Sequence, residues 1–186
     1  MQNGSRKAII SWALYDWANS AFATTVIAGF FPVFFKQYWS AGVDSTVSTA
    51  RLGFANSLGG IAVALLAPLL GAIADRGSSR KKFLFFFAFT GVVMTSALYM
   101  VSQGNWHMAV LLYVLAMIGF SGGNIFYDSL ITHVALEEKV DFVSSLGYAM
   151  GYLGGGLLFA VNVWMTLKPD TFGFADVQQA VKFSFL

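Results

Sequence analysis

Long apolar segments follow one another along this chain, separated by short polar stretches. Five of them carry almost no charge, and each has the roughly 20 mainly apolar residues that a helix needs to cross a bilayer. A helix satisfies its backbone hydrogen bonds internally, which hydrocarbon requires. The pattern therefore predicts membrane-spanning helices at about 9–35, 52–74, 83–102, 107–128 and 143–167.

The apolar pattern resumes near the end of the sequence, at 179–186, after a polar loop. We interpret this stretch as the start of a sixth helix. We therefore expect 1–186 to be the N-terminal six-helix half of a longer protein, truncated in helix six. A cleavable signal peptide is the alternative for the first segment, but that apolar run is too long for one and contains Asp16.

The composition supports a membrane protein. Charged residues make up 11% of the 186 positions and apolar residues 57%, whereas a soluble domain has about 25% charged residues. This balance excludes a soluble enzyme and a nucleic-acid partner, and it predicts an all-α polytopic membrane protein whose surroundings are the lipid bilayer. The chain has no cysteine and only two histidines, so we expect no metal site and no cofactor.

Basic residues indicate the orientation. Seven of the 11 Lys and Arg residues fall on the side that holds the N-terminus, and positive loops usually stay in the cytoplasm. We therefore expect a cytoplasmic N-terminus. Three tryptophans are expected near the opposite membrane interface: Trp39, Trp106 and Trp164.

An acidic residue interrupts the first predicted span. Trp12, Asp16 and Asn19 are spaced so that they share one helical face. A carboxylate inside a span costs about 2.5–3.5 kcal/mol and normally faces water or the protein interior. We interpret Asp16 and Asn19 as part of a polar pathway, either a proton site or a site for a substrate amine. The alternative is that Asp16 is solvated at the interface or caps a neighbouring helix.

The fourth and fifth spans add polar candidates to this pathway. Asn124 and Tyr127 lie in the fourth span, and Asp128 beside them is interpreted as an interfacial charge. In the fifth span, Tyr148 and Tyr152 stand four residues apart and could line a cavity. The same span carries three evenly spaced glycines that allow close packing of another helix: Gly147, Gly151 and Gly155.

The loop between the second and third spans is short and basic. It reads GAIADRGSSRKK and contains Asp75, Arg76 and Arg80. An acid at the C-terminal end of a helix is unfavourable with the helix dipole, so Asp75 should find a basic partner. We interpret these three residues as a conformational latch, and the alternative is a plain positively charged cytoplasmic loop.

These stretches resemble a known family. The loop from Gly71 to Lys82 resembles the signature loop of the major facilitator superfamily. WALYDWANSAFATTVIAGFFPVFF and SSLGYAMGYLGGG resemble the vacuolar amino-acid effluxer-like, autophagy-related branch of that superfamily and its bacterial relatives. The resemblance implies a helical bundle of major facilitator type, in which two six-helix halves form one transporter.

We therefore expect a secondary active transporter of small polar metabolites that works by alternating access, with amino-acid efflux and proton coupling as the specific hypotheses. Its partners would be the substrate and the missing C-terminal half, and a bacterial plasma membrane fits better than a vacuole. A non-transporting membrane scaffold or assembly subunit is the alternative. An enzyme is not expected, because we find no catalytic nucleophile–histidine–acid set and no phosphate-binding loop.

Overall fold

The computed structural model of this protein describes residues 5–77 and 79–186. Within these ranges the chain is helical and contains no strand. Five helices are long and apolar enough to cross a membrane, which confirms the predicted fold class. Their bounds are Arg6–Trp39 (α1), Ser45–Arg76 (α2), Arg80–Met100 (α3), Trp106–Val134 (α4, with a turn at Leu130) and Glu137–Leu167 (α5).

Polar loop residues begin two of these helices. The Asp44 side chain accepts a hydrogen bond of 2.7 Å from the backbone N–H of Thr46 at the start of α2. The Asn105 side chain accepts one of 3.4 Å from the backbone N–H of Met108 at the start of α4. Such caps satisfy N–H groups that the first turn leaves free. The helices therefore extend beyond the charge-free segments and into the polar loops.

Helix α1 is wound irregularly. Two π-helical stretches, Phe22–Phe30 and Phe35–Trp39, lie on either side of the turn that contains Pro32. Proline cannot donate a backbone hydrogen bond, and π-helical turns are rare and often occur at functional sites. The Thr24 hydroxyl donates a bond of 3.1 Å to the backbone oxygen of Gly155. This contact ties the irregular part of α1 to α5.

Helix α4 lies at the centre of the bundle. Half of its most apolar stretch is buried (50%), against 11% for α2 and for α3. It packs against α2 and α3 along its length, while α1 packs mainly against α5. Side chains of α1 then join the two groups, as where the ring of Phe22 contacts that of Phe120, with centroids 5.0 Å apart. The bundle is thus two packed helix groups that meet along α1 and α4.

Glycines of α5 let α1 approach closely. A Cβ built on Gly151 would lie 2.6 Å from the Ser20 hydroxyl, and one on Gly154 would lie 2.5 Å from Cγ of Trp17. Side chains larger than hydrogen do not fit at such distances. The glycines of the fifth span were expected to allow close packing of another helix, and that helix is α1.

Two buried clusters hold the ends of the bundle together. We call the end where α1 begins and α4 ends the N-terminal face; its cluster contains Ala8, Trp12, Tyr127, Val134, Ala135 and Val143. The cluster at the opposite face includes Phe31 and Tyr113, whose rings stack with centroids 3.8 Å apart. The polar side chains of Asn19 on α1 and Asn124 on α4 belong to neither cluster.

Large apolar side chains cover the outside. Leu65 and Leu69 of α2 are 70% and 63% exposed, and Phe85 and Phe86 of α3 are 70% and 61% exposed. Water would disfavour such a surface, and lipid chains favour it. The protein is a multi-pass membrane protein.

A short helix follows α5. After a 3₁₀ turn at Pro169–Phe172, helix α6 spans Val177–Phe183 and begins at Asp176, which accepts a bond of 2.7 Å from the backbone N–H of Gln179. Val181 is buried in the cluster at the opposite face. Helix α6 is therefore anchored to the bundle.

Candidate functional site

A polar cleft opens between α1, α4 and α5 near the N-terminal face. Its volume is about 440 Å³, which is within the range of small-molecule sites. The residues that line it are Trp12, Asp16, Asn124, Tyr127, Asp128, Ile131, Val140, Asp141, Ser144 and Tyr148. Four of the six residues predicted for a polar pathway are among them.

Asp16 lies in the wall formed by α1. Its side chain is half-buried, and its Oδ1 accepts a hydrogen bond of 3.3 Å from the Ser20 hydroxyl one turn later. A Cβ on Gly151 would lie 3.1 Å from Cγ and from Oδ2 of Asp16. Because Gly151 has no side chain, the carboxyl group of Asp16 fits between α1 and α5.

Asn19 and Asn124 meet across the interface between α1 and α4. The Asn19 amide Nδ2 donates to Oδ1 of Asn124 at 2.8 Å. The two residues are far apart in sequence, and each was predicted only as an independent pathway residue. Inside a membrane bundle such side-chain bonds fix the position of one helix on another.

Tyr127 forms the floor of the cleft together with Trp12. Their rings stack with centroids 4.3 Å apart, and Nε1 of Trp12 donates to the backbone oxygen of Tyr127 at 3.1 Å. Tyr127 is 5% exposed, and its buried hydroxyl has no hydrogen-bond partner within the described chain. That hydroxyl lies 3.1 Å from the position a Cβ would take on Gly147.

The two tyrosines of α5 occupy different places. Tyr148 lines the cleft and is 68% exposed. Tyr152 is 80% exposed and is not part of the cleft wall. One turn of helix therefore separates a tyrosine at the cleft from a tyrosine on the outer surface of this bundle.

Three further residues of the cleft wall carry a carboxylate or hydroxyl group and were not among the predicted pathway residues. Asp128, interpreted from the sequence as an interfacial charge, faces the cleft from the end of α4. Asp141 and Ser144 face it from the first turns of α5. Their spacing with Tyr148, three and four residues, places all three on one helical face, and this was the signal available in the sequence.

A second cavity lies on the other side of the contact between Asn19 and Asn124. It measures about 300 Å³ and is lined mostly by apolar residues of α1 and α3 and by the end of the chain. Tyr15 and Asn19 belong to its wall, and Tyr15 stacks on Tyr127 with centroids 4.9 Å apart. The asparagine pair and the stacked tyrosines thus separate an apolar cavity from the polar cleft.

Arg80 connects three elements at the N-terminal face. Its Nε donates to the backbone oxygen of Ala74 at 2.5 Å, and an Nη donates to that of Asp75 at 3.3 Å. Its other Nη lies 2.9 Å from Nε2 of His133 at the end of α4. Arg80 therefore compensates the C-terminal carbonyls of α2 directly, while the side chains of Asp75 and Arg76 remain exposed.

The site contains acids, amides and phenols. In the described part of the chain, no group of three or more His, Cys, Asp or Glu is arranged to hold a metal ion. The arrangement can accept hydrogen bonds from a charged donor and can take up protons on its carboxylates.

Comparison with known proteins gives related sequences over most of the chain. An uncharacterized MFS-type transporter, YxiO of Bacillus subtilis (strain 168), is 39% identical over 158 residues, which is 84% of this chain and 37% of that protein. An uncharacterized protein of Aquifex aeolicus (strain VF5) is 29% identical over 163 residues, 88% of this chain and 40% of that protein. The chain thus spans about two fifths of the length of these curated relatives.

A fungal relative and a family model agree with these matches. Autophagy-related protein 22 of Pichia angusta is 33% identical over 89 residues, which is 46% of this chain and 16% of that protein. The family model described as vacuole effluxer Atg22-like matches residues 45–140, just over half of the chain. The chain belongs to the vacuole effluxer Atg22-like family, as the resemblance of its motifs predicted.

Proposed function

We propose that this chain forms the substrate-binding N-terminal half of a secondary active transporter for small polar metabolites, with amino acids as the first candidates. The observation on which this proposal rests is the polar cleft between α1, α4 and α5. The relatives named as a transporter and as an autophagy-related protein support the same class.

The cost of placing acids in the membrane supports this proposal. Asp16 lies well inside α1, and a carboxylate at that depth is expensive unless it faces water or a partner. The rest of the outer surface is apolar, as at Leu65 and Phe85. A polar wall in such a bundle is useful where a polar solute must cross.

Asp16 has two possible roles in transport. As a carboxylate it would pair with the ammonium group of a substrate. As a proton site it would lose its charge on protonation, which would lower the cost of closing the cleft around it. Both roles couple the charge at Asp16 to the conformation of α1.

Alternating access requires that helices move relative to one another. We propose that α1 moves, because its two π-helical stretches interrupt the regular winding of the helix. The latch of Asp75, Arg76 and Arg80 would stabilise one of the two states. In this proposal Arg80 acts through the end of α2 and through His133.

The second wall of the pathway would come from further helices. Alternating access needs two repeats around one site, and the curated relatives are longer than the chain, which spans 37% and 40% of two of them. We propose that a C-terminal half closes the cleft. The positive loops favour a cytoplasmic N-terminal face, and the bacterial relatives favour a plasma membrane.

Transport by the full-length protein tests the proposal. The wild type, Asp16→Asn and Asp16→Glu are reconstituted in liposomes, and uptake of radiolabelled amino acids is followed with and without a pH gradient. Asp170→Asn, which removes an exposed acid in the loop after α5, is the control.

We expect Asp170→Asn to transport like the wild type, Asp16→Asn to lose most uptake, and Asp16→Glu to keep part of it. Normal pH-driven uptake by Asp16→Asn would contradict a role for Asp16. Absence of uptake in the wild type, for every amino acid tested, would favour a non-transporting membrane subunit.

A further inference from the structure

The charge of the cleft wall restricts what can bind there. We propose that the cleft binds the ammonium group of its substrate between Asp16, Asp128 and Tyr127, and that the transported molecules carry net positive charge. This inference rests on the proposed transport function and narrows its substrate class.

All charged groups that line the cleft are acidic. They are the carboxylates of Asp16, Asp128 and Asp141, and no Lys, Arg or His belongs to the wall formed by the described residues. A substrate carboxylate would find no cationic partner on this wall and would be repelled by three acids. A cation without a carboxylate, or with an excess of amines, meets no such penalty.

Tyr127 supplies an observation independent of the acids. It is 5% exposed, it lines the cleft, and its buried hydroxyl has no hydrogen-bond partner within the described chain. A buried polar group without a partner is costly, and native proteins rarely leave one unless a ligand or water completes it. The phenol oxygen is an acceptor as well as a donor, so a bound ammonium can satisfy it.

These three groups are close enough to act on one ligand. All three line the same cleft of about 440 Å³. Oδ2 of Asp16 and the Tyr127 hydroxyl each lie 3.1 Å from the Cβ positions of two glycines one turn apart on α5, Gly151 and Gly147. A primary ammonium has three N–H donors on a compact charge. Three acceptors on α1 and α4 therefore match one ammonium group, and the charge between the two acids removes their mutual repulsion.

The remaining residues of the wall fit the rest of a cationic substrate. Tyr148 presents a ring that is 68% exposed, and an aromatic face attracts a cation. Asp141 lies in the first α-helical turn of α5, which follows the 3₁₀ turn Glu137–Lys139, and an acid there is already favourable with the helix dipole. We therefore assign the primary ammonium contact to the pair on α1 and α4 and a secondary attraction to Asp141 and Tyr148.

Competition between substrates of different charge tests the inference. The full-length protein is reconstituted in liposomes, and uptake of radiolabelled lysine is measured against unlabelled cadaverine, leucine and glutamate. Cadaverine keeps the side-chain amine of lysine and has no carboxylate. We expect cadaverine to compete about as well as lysine, leucine at least tenfold more weakly, and glutamate not at all.

Two tyrosine-to-phenylalanine variants test whether the substrate ammonium binds at Tyr127. Tyr127→Phe removes only the unpartnered hydroxyl and keeps the ring that stacks on Trp12. Tyr15→Phe removes a second buried hydroxyl without a partner, which lies at the apolar cavity instead of the cleft. We expect Tyr127→Phe to raise the KM for lysine about tenfold or more, since a hydrogen bond to a charged group is lost, and Tyr15→Phe to leave it within about twofold.

The outcomes separate this inference from the proposed function. Transport of leucine or glutamate at least as good as that of lysine would overturn the inference and leave the transporter standing. An unchanged KM for lysine in Tyr127→Phe would also overturn it. Absence of transport for all four probes in the wild type would remove both.

Discussion

Helices α1 and α5 approach closely at Gly154, and the distances there predict how much a larger side chain would destabilise the protein. In Gly154→Ala the new Cβ would lie 2.5 Å from Cγ of Trp17 and closer still to the backbone oxygen of Trp17. A backbone oxygen cannot rotate away as a side chain can, so the two helices must separate by about 1 Å to restore normal contact. Overpacking of this kind costs about 1–3 kcal/mol and occasionally more.

Gly156→Ala is the matched control, because it is the same substitution two residues further along α5. Nothing lies within 4 Å of a Cβ on Gly156, and alanine has a higher helix propensity than glycine. We expect Gly156→Ala to match or slightly exceed the wild type in stability, and Gly154→Ala to be less stable than Gly156→Ala by about 1–3 kcal/mol or more.

The assay is reversible unfolding of the full-length protein in mixed micelles, with increasing dodecyl sulfate and far-ultraviolet circular dichroism as the signal. The free energies of unfolding of the wild type and both variants are compared in one detergent. Equal values for Gly154→Ala and Gly156→Ala would show that α1 and α5 do not touch at this point, and the placement of Asp16 beside Gly151 would lose its basis.

Three other predictions concern single contacts. A double-mutant cycle of Asn19→Ala and Asn124→Ala in the same unfolding assay should give a coupling energy of about 0.5–2 kcal/mol, as side-chain hydrogen bonds in membrane proteins do. A coupling energy near zero would contradict the hydrogen bond between α1 and α4. Arg80→Gln should change the ratio of thiol labelling at the two faces of the transporter, because the cap on the carbonyls of α2 is lost; an unchanged ratio would exclude a latch. The hydrogen bond from the N–H of Thr46 holds the pKa of Asp44 below its usual range. The cap on α2 should therefore be complete above about pH 4, the usual aspartate pKa. It should weaken as the pH falls through the lower pKa that Asp44 has in the folded protein. Hydrogen exchange in the first turn of α2 should then rise at acid pH, and a pH-independent rate would refute this.

The helices could be predicted from the sequence because charge is costly in hydrocarbon. Long charge-free runs underlie all five spans: 17–35 in α1, 52–74 in α2, 83–127 in both α3 and α4, and 142–167 in α5. The helix ends could not be predicted as well, since caps such as Asp44 and Asn105 extend helices into polar loops. The π-helical winding of α1 gave no periodic signal, although Pro32 marks its location.

Side-chain environments depended on which helices became neighbours. Trp39 was expected at the membrane interface, but the structure buries it completely, with 0% exposure, and its Nε1 donates to the backbone oxygen of Val101 at 3.4 Å. An indole serves equally well at an interface and in a core where its N–H finds a partner. A single sequence does not distinguish these two environments.

In the cleft, helical spacing predicted which residues share a face of one helix, but it did not predict the contacts between helices. Spacing placed Trp12, Asp16 and Asn19 on one face of α1. Only the packing of α4 showed that Asn19 meets Asn124 and that Asp128 turns towards the cleft. Contacts between helices far apart in sequence cannot be worked out from the spacing within each helix.

Thiol labelling in the membrane tests most directly whether the cleft is a water-filled path for substrate. A cysteine is introduced at Ser144 in the cleft wall, or at Gly156 on the exposed surface of α5, in a full-length protein without other cysteines. We predict that a membrane-impermeant maleimide labels Ser144→Cys, that lysine slows this reaction, and that Gly156→Cys shows no protection by lysine. A Ser144→Cys variant that resists the reagent, or reacts at the same rate with and without lysine, would contradict the account.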